Sequence, residues 1–350
     1  MEAFAPISNR IPYRRHCRIL ALCLFSFAAA AWGQQPGSGA GRQAGNIEDW
    51  SSISLGKSEL HPEPPLLAEK DDERQFDREL IQVKWRQGDP IDLYVIKPKG
   101  LNRFPAVLYL YSYPAETDRF RDNRYCARVT AGGVAAIGFV SALTGHRYQN
   151  RPMKQWFISE LQEALGSSAH DVQMVLNYLS TRDDVDMTRI GIFGTGSGAS
   201  IAILAAAADP RIKAVDLLDP WGDWPDFIAS SPLIPDGERA DYLTQDFLKK
   251  VSPLDPVQWL PQLKSQHIRI QQLITDSVTP KAAKERIASA APKAVQLVRY
   301  QNDPELYAAS SGGRIFQWIK DQLNPAAEPK PSVDRQDAQA GVRKIEQNNN

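Results

Sequence analysis

The 350-residue chain is sparing with two residue types that carry much protein chemistry: it has 3 cysteines and 5 histidines. Cys17 and Cys23 fall within the first thirty-three residues, so beyond them only Cys126 remains and no disulfide can close within the chain. A domain of this length buries enough apolar surface to do without one. An excess of one charge is also missing, with 41 Lys and Arg against 41 Asp and Glu. Removing residues 1–33, which hold four Arg and one Glu, leaves 37 against 40 and a net of −3. That balance excludes simple electrostatic attraction to a polyanion, so no nucleic-acid partner is expected. H-E-x-x-H and paired Cys-x-x-Cys motifs are absent and the histidines are scattered, so no metal site is expected either. The one sustained apolar run, Ile19 to Ala31, is shorter than the ~20 residues that span a bilayer.

What is present at the amino end has the form of an export signal. Arg10, Arg14, Arg15 and Arg18 precede the apolar run, and the small residues Ala31 and Gly33 suit cleavage before Gln34. The expectation is a signal over residues 1–33 and a periplasmic or secreted mature protein, with no stable membrane span after cleavage. Residues 34–75, rich in Gly, Pro, Gln and Ser early on and without a sustained period, read as a flexible linker, and the polar, breaker-rich residues 325–350 read as a disordered tail. Between them, residues 76–324 suit one α/β domain.

That domain opens with a hairpin, Leu80–Arg86 and Ile91–Lys97, joined at Gly88-Asp89-Pro90. Apolar runs at Ala106–Leu110, Val134–Ala142, Arg189–Phe193 and Ala214–Leu218 read as buried parallel strands, with Ile268–Ile274 and Ala294–Tyr300 supplying two more. Leu161, Leu165, Val172, Val175, Leu176 and Leu179 lie on one helical face. The alternation predicts a mostly parallel twisted sheet with helices on both faces and an antiparallel hairpin at its start.

At the centre, Arg189 to Asp209 (RIGIFGTGSGASIAILAAAAD) read as a strand, a glycine-rich turn and a helix. The turn is Gly194-Thr195-Gly196-Ser197-Gly198. Around it stand Lys97-Pro98-Lys99-Gly100, Phe104-Pro105-Ala106-Val107, the run Asp184 to Gly191, the run Asp209 to Val215, and Ser252-Pro253-Leu254. In this order the phrases, from about Glu79 to Leu323, resemble the α/β-hydrolase superfamily, in its dienelactone hydrolase, acetyl xylan esterase and prolyl-oligopeptidase-like branch. The resemblance implies the α/β-hydrolase fold and a nucleophile elbow, G-x-S-x-G, that displays a serine above the sheet. Here Gly196 occupies the serine's place. The resemblance carries the acid onto Asp276, four residues before Pro280, and that residue is retained. It implies a histidine within Tyr300 to Gly313, where there is none, and a His-Gly oxyanion loop where this chain has Tyr111-Ser112 followed by Tyr113-Pro114.

Acyl transfer needs a nucleophile and an adjacent base, so the expected protein is a catalytically inactive member of this fold that binds a small molecule or another protein through the former pocket. Tyr111, Ser112, Tyr113, His146, Ser197, Trp221 and Trp224 are the candidate ligand-binding residues, the two tryptophans as pocket walls or as packing. No cofactor is expected. One alternative is an active esterase of non-standard constellation, with Ser197 or a water as nucleophile and His146 or Asp276 as base. Another is a dinucleotide-binding protein, because Gly194 to Ala199 also matches G-x-G-x-x-[G/A], with Asp216 or Asp219 near the ribose position. Asp276 without a histidine is expected to pair with an arginine or to cap the helix start near Thr279 and Pro280.

Overall fold

A computed structural model describes residues 47–115, 117–148, 153–154 and 157–324. The expected signal, 1–33, and the expected tail, 325–350, lie outside the described residues. The strands are β1 (Leu66–Asp72), β2 (Phe76–Val83), β3 (Ile91–Pro98), β4 (Phe104–Leu110), β5 (Ala135–Gly138), β6 (Val185–Thr195), β7 (Ile212–Leu218), β8 (His267–Leu273) and β9 (Gln296–Tyr300). The helices are α1 (Asn123–Thr130), α2 (Leu161–Leu179), α3 (Ser197–Ala208), α4 (Trp224–Ser230), α5 (Arg239–Tyr242), α6 (Gln245–Val251), α7 (Pro256–Trp259), α8 (Lys281–Ala290), α9 (Asp303–Ser310) and α10 (Gln317–Leu323).

All nine strands join one sheet in the order β1-β2-β3-β5-β4-β6-β7-β8-β9. Pairing is antiparallel from β1 through β3 to β5 and parallel from β5 to β9. The expected hairpin and all six expected parallel strands are therefore present. The central strand β4 is buried along its whole length, as its unbroken apolar sequence requires of a strand covered on both faces. Its residues alternate between two cores: Ala106, Leu108 and Leu110 pack with α2 and α3, and Val107 and Tyr109 with α1 and α10. Helix α3 has no polar stripe because Ser197 through Ala206 are all buried.

The linker expected over 34–75 needs correction from residue 47 onward. Ile53 is buried, Leu55–Lys57 form a 3-10 turn, and β1 pairs with β2 as the first strand of the sheet. Periodicity misses this segment because it supplies single anchors and a solvent-facing edge strand, with no repeated apolar face. Within the parallel array, residues 219–266 between the neighbouring strands β7 and β8 carry α4 to α7.

Candidate active site

The elbow has the shape the sequence calls for. Strand β6 ends at Thr195, α3 starts at Ser197, and Gly196 between them has φ 53° and ψ −121°, a backbone conformation that glycine adopts at least cost. Its amide donates to the Leu218 carbonyl at 2.9 Å, and its carbonyl accepts from Ala199, Ser200 and Trp221 at 3.1, 3.2 and 3.3 Å. Two flanking glycines permit the close approach of backbones. A Cβ at Gly194 would stand 2.6 Å from the Ala199 Cα, and one at Gly198 would stand 2.4 Å from the Leu110 carbonyl oxygen.

Above Gly196 the space for a nucleophile is already filled. A Cβ built there would lie 2.3 Å from Ser112 Oγ, 2.8 Å from Ser112 Cβ and 3.1 Å from Trp221 Nε1. The amides that an α/β-hydrolase aims at a developing oxyanion are the one following the nucleophile and one from the loop after the first parallel strand. Here Ser197 N donates to Ser112 Oγ at 3.3 Å, Ser112 N to Thr195 Oγ1 at 3.1 Å, and Tyr113 N to Ser197 Oγ at 3.1 Å. Three short hydroxyl side chains thus take up the donors that a reacting carbonyl would need.

The proposed substitutes are placed as follows. Ser197 is 2 % exposed and its oxygen accepts the Tyr113 amide, while Ser200 is fully buried and donates to the Trp221 carbonyl at 2.7 Å. His146 is exposed on the 3-10 turn Gly145–Tyr148 after β5. Asp276 accepts the Val278 and Thr279 amides, both at 3.0 Å, and pairs with Lys284 Nζ at 3.5 Å, just before α8. It is a turn and helix-entry residue, with a lysine as its cation. The segment where a histidine is implied folds into the end of β9, α9 and a 3-10 turn, with Asn302 capping α9 through the Glu305 amide at 3.0 Å.

The aromatic candidates are corrected toward packing. Trp221 and Trp224 are 4 % and 1 % exposed; Trp221 packs against Phe227 with the rings tilted by 35°, and the Trp224 indole nitrogen donates to the Leu254 carbonyl. Tyr111 is half-buried among Phe120, Tyr125 and Phe193, its hydroxyl 2.5 Å from that of Tyr125 and the Arg119 guanidinium 3.5 Å above its ring. Tyr113 remains half-buried beside the elbow. A cavity of about 710 Å³ lies off the elbow, lined by Asp223, Leu243, Leu248, Val257 and Arg286 among others, and of the candidate residues only Trp224 reaches it. For the dinucleotide alternative, Asp216 is fully buried in a two-point ion pair with Arg269 at 2.9 and 2.7 Å, which leaves it no ribose to meet. Cys126 is buried, and burial pushes its thiol up to about 11, which leaves it a poor nucleophile.

One residue of the neighbourhood is brought forward by the structure. Asp219 follows β7, whose last residue accepts the Gly196 amide, and it has a left-handed φ of 46°. Its Oδ1 accepts the Leu273 amide at 2.8 Å. Burial, aided by the charge of Asp276, pushes its carboxyl up to about 7 against the opposing amide and Lys284. Its place immediately after an apolar strand was visible in the sequence; its burial was not.

No protein-family model matches the sequence, and no curated protein matches it. Solved structures do resemble it. An acetyl xylan esterase from Paenibacillus sp. R4 is 17% identical with a TM-score of 0.56, covering 75% of this chain and 88% of that one. Acetyl xylan esterase 1 from Thermoanaerobacterium sp. JW/SL YS485 is 15% identical with a TM-score of 0.57, covering 74% and 88%. An S-formylglutathione hydrolase from Agrobacterium tumefaciens is 12% identical with a TM-score of 0.53, covering 73% and 99%. The fold is the α/β-hydrolase fold.

Proposed function

We propose that this is an exported protein that keeps the α/β-hydrolase scaffold without its acyl-transfer chemistry, and that it acts by binding a small molecule or a protein partner. The observation that carries the reading is the occupancy of the elbow: the nucleophile's position is a glycine, and the Ser112 hydroxyl stands where that side chain would project. The amides beside it are engaged by Ser112, Thr195 and Ser197. With neither an activated nucleophile nor idle oxyanion donors, a scaffold loses the two contributions that dominate ester hydrolysis. In triad enzymes the loss of nucleophile or base alone costs about 10⁴ to 10⁶ in turnover.

The test is incubation of the purified mature protein with a short-chain nitrophenyl ester and, separately, with a fluorophosphonate probe. Hydrolysis at the rate of a protein blank and no labelled peptide are the expected results. A labelled peptide containing Ser112 or Ser197, together with turnover, would establish the esterase alternative and name its nucleophile.

A further inference from the structure

Residues 47–58 form a strap across α2, far along the chain from the elbow and held by a dense polar contact. The Glu48 carboxylate accepts from Arg86 Nε at 2.5 Å and from Arg86 Nη2 at 2.6 Å. His170, fully buried in the middle of α2, faces Glu48 Oε1 through Nδ1 at 2.7 Å and the Ser52 carbonyl through Nε2 at 2.9 Å. Gln173 Nε2 donates to the Ile53 carbonyl at 2.8 Å, and Ile53 itself is buried in the core. Gly166 lets the strap lie flat on the helix, since a Cβ there would come within 2.4 Å of the Trp50 carbonyl oxygen.

The proton count follows from the partners. A backbone carbonyl only accepts, so Nε2 must carry a proton. Burial works against ionisation of Glu48, but its polar partners, Arg86 first among them, outweigh it and hold the carboxyl at about 2. An ionised carboxylate also only accepts, so Nδ1 must carry a proton as well. A ring protonated at both nitrogens is an imidazolium. The surrounding charges agree with that count. Arg86 also pairs with Asp171, Arg147 pairs with Asp171 at 2.9 Å and with Asp89 at 2.6 Å, and these side chains are 15 % exposed or less. Arg86, Arg147 and a charged His170 balance Glu48, Asp89 and Asp171; a neutral ring would leave one buried negative charge without a counterpart.

We propose that the 47–58 strap is a pH-dependent latch, closed on α2 while His170 is an imidazolium and released when the ring gives up a proton. Whichever nitrogen loses its proton, the lone pair created points at an oxygen, either the Glu48 carboxylate or the Ser52 carbonyl, and one of the two contacts turns repulsive. The charged group in contact with the ring is Glu48, with Asp49 beside it on the strap; from Glu48 the ion-pair network runs through Arg86 on the turn after β2 to Asp171 on α2 and Arg147 on the 145–148 turn. Of these residue types only histidine ordinarily changes charge between pH 5 and 8. The strap is closed while the ring holds both protons, and it opens as rising pH removes one. Opening frees residues 47–58 and uncovers the Ile53 seat, while Glu63, whose amide donates to the Lys84 carbonyl at 2.8 Å, still anchors the chain ahead of β1.

Two measurements on the full mature chain test the latch. The ¹⁵N shifts of the His170 ring at pH 6 are expected to report protons on both nitrogens with the strap closed; a neutral tautomer in the closed state overturns the proposal. Hydrogen exchange of the 50–56 amides, corrected for intrinsic chemistry, is expected to speed up by as much as about tenfold per pH unit once the ring titrates, as release of one proton requires. Protection that stays level from pH 5 to 9 overturns it. His170→Gln keeps a donor for the Ser52 carbonyl and is expected to abolish the pH dependence, and the same slope in that variant would assign the effect elsewhere. Should that variant fail to fold, the ring shifts of the unaltered protein still decide.

Discussion

The elbow and the strap contact put the same fold to opposite uses of polar groups. At the elbow, where an enzyme of this architecture concentrates reactive and charged side chains, the structure has a glycine and three small hydroxyls that satisfy backbone amides. Under the strap, where no reaction is expected, five charged groups and the His170 imidazole are packed in mutual contact with little exposure. A half-satisfied buried network costs more than an apolar core, and a fully satisfied one fixes a single arrangement of the segments it joins. In this chain buried charge holds the amino-terminal segment, while the turn at Gly196 is filled with neutral contacts.

The comparison can be broken most sharply on the charged side. Asp171→Ala leaves Arg86 and Arg147 facing each other without their shared carboxylate, and is expected to cost about 3–5 kcal/mol, read by urea denaturation. A loss below about 1 kcal/mol would mean the network contributes little to folding.

On the neutral side, Gly196→Ala drives a methyl into the Ser112 hydroxyl at a left-handed φ and is expected to cost about 1–3 kcal/mol. Ser112→Gly in the same chain is expected to recover part of that loss, and neither variant is expected to hydrolyse nitrophenyl esters. Gly196→Ser alone likewise is expected to restore no turnover, because the base is missing too. Rapid hydrolysis by that single variant would show an imidazole within reach.

Asp219 sharpens the comparison by pH. In the fold its carboxyl keeps a proton to about 7, whereas the unfolded chain releases it near the ordinary value of 3.8. The native state therefore binds more protons between those values, so this contribution is fully present below about pH 4 and lost as pH rises through about 7. Asp219→Asn, which retains an acceptor for the Leu273 amide, is expected to gain about 1–3 kcal/mol on the unaltered protein between pH 5 and pH 8 in denaturation midpoints. An identical pH profile for both would place the buried proton elsewhere. The smallest effect is expected at the retained acid: Asp276→Ala loses two amide contacts and the Lys284 pair, costing about 1–2 kcal/mol, with Asp276→Asn recovering most of it.

The sheet was legible because its signals are local. Unbroken apolar runs such as Phe104–Leu110, and the change to a helical period over Leu161–Leu179, identify elements whatever their neighbours are. The elbow was legible for the same reason, since its strand, glycines and helix are contiguous. What fills the elbow was not, because Ser112 and Gly196 are separated by more than eighty residues and nothing in either segment signals their approach. The two tryptophans have the composition of a pocket wall and the burial of a core, and only their contacts with Phe227 on α4 and with the Leu254 carbonyl distinguish the two. The strap was hidden by its composition: Glu48, Ser52 and Ile53 each serve as a single anchor, and a segment of single anchors has the statistics of a linker.

Among the described residues β1 is an edge strand of the sheet, and it carries Glu69, Lys70, Asp71 and Asp72 beyond a register shift between Leu67 and Glu69. A strand arriving from a neighbouring molecule would meet charge of both signs and a broken spacing of donors and acceptors.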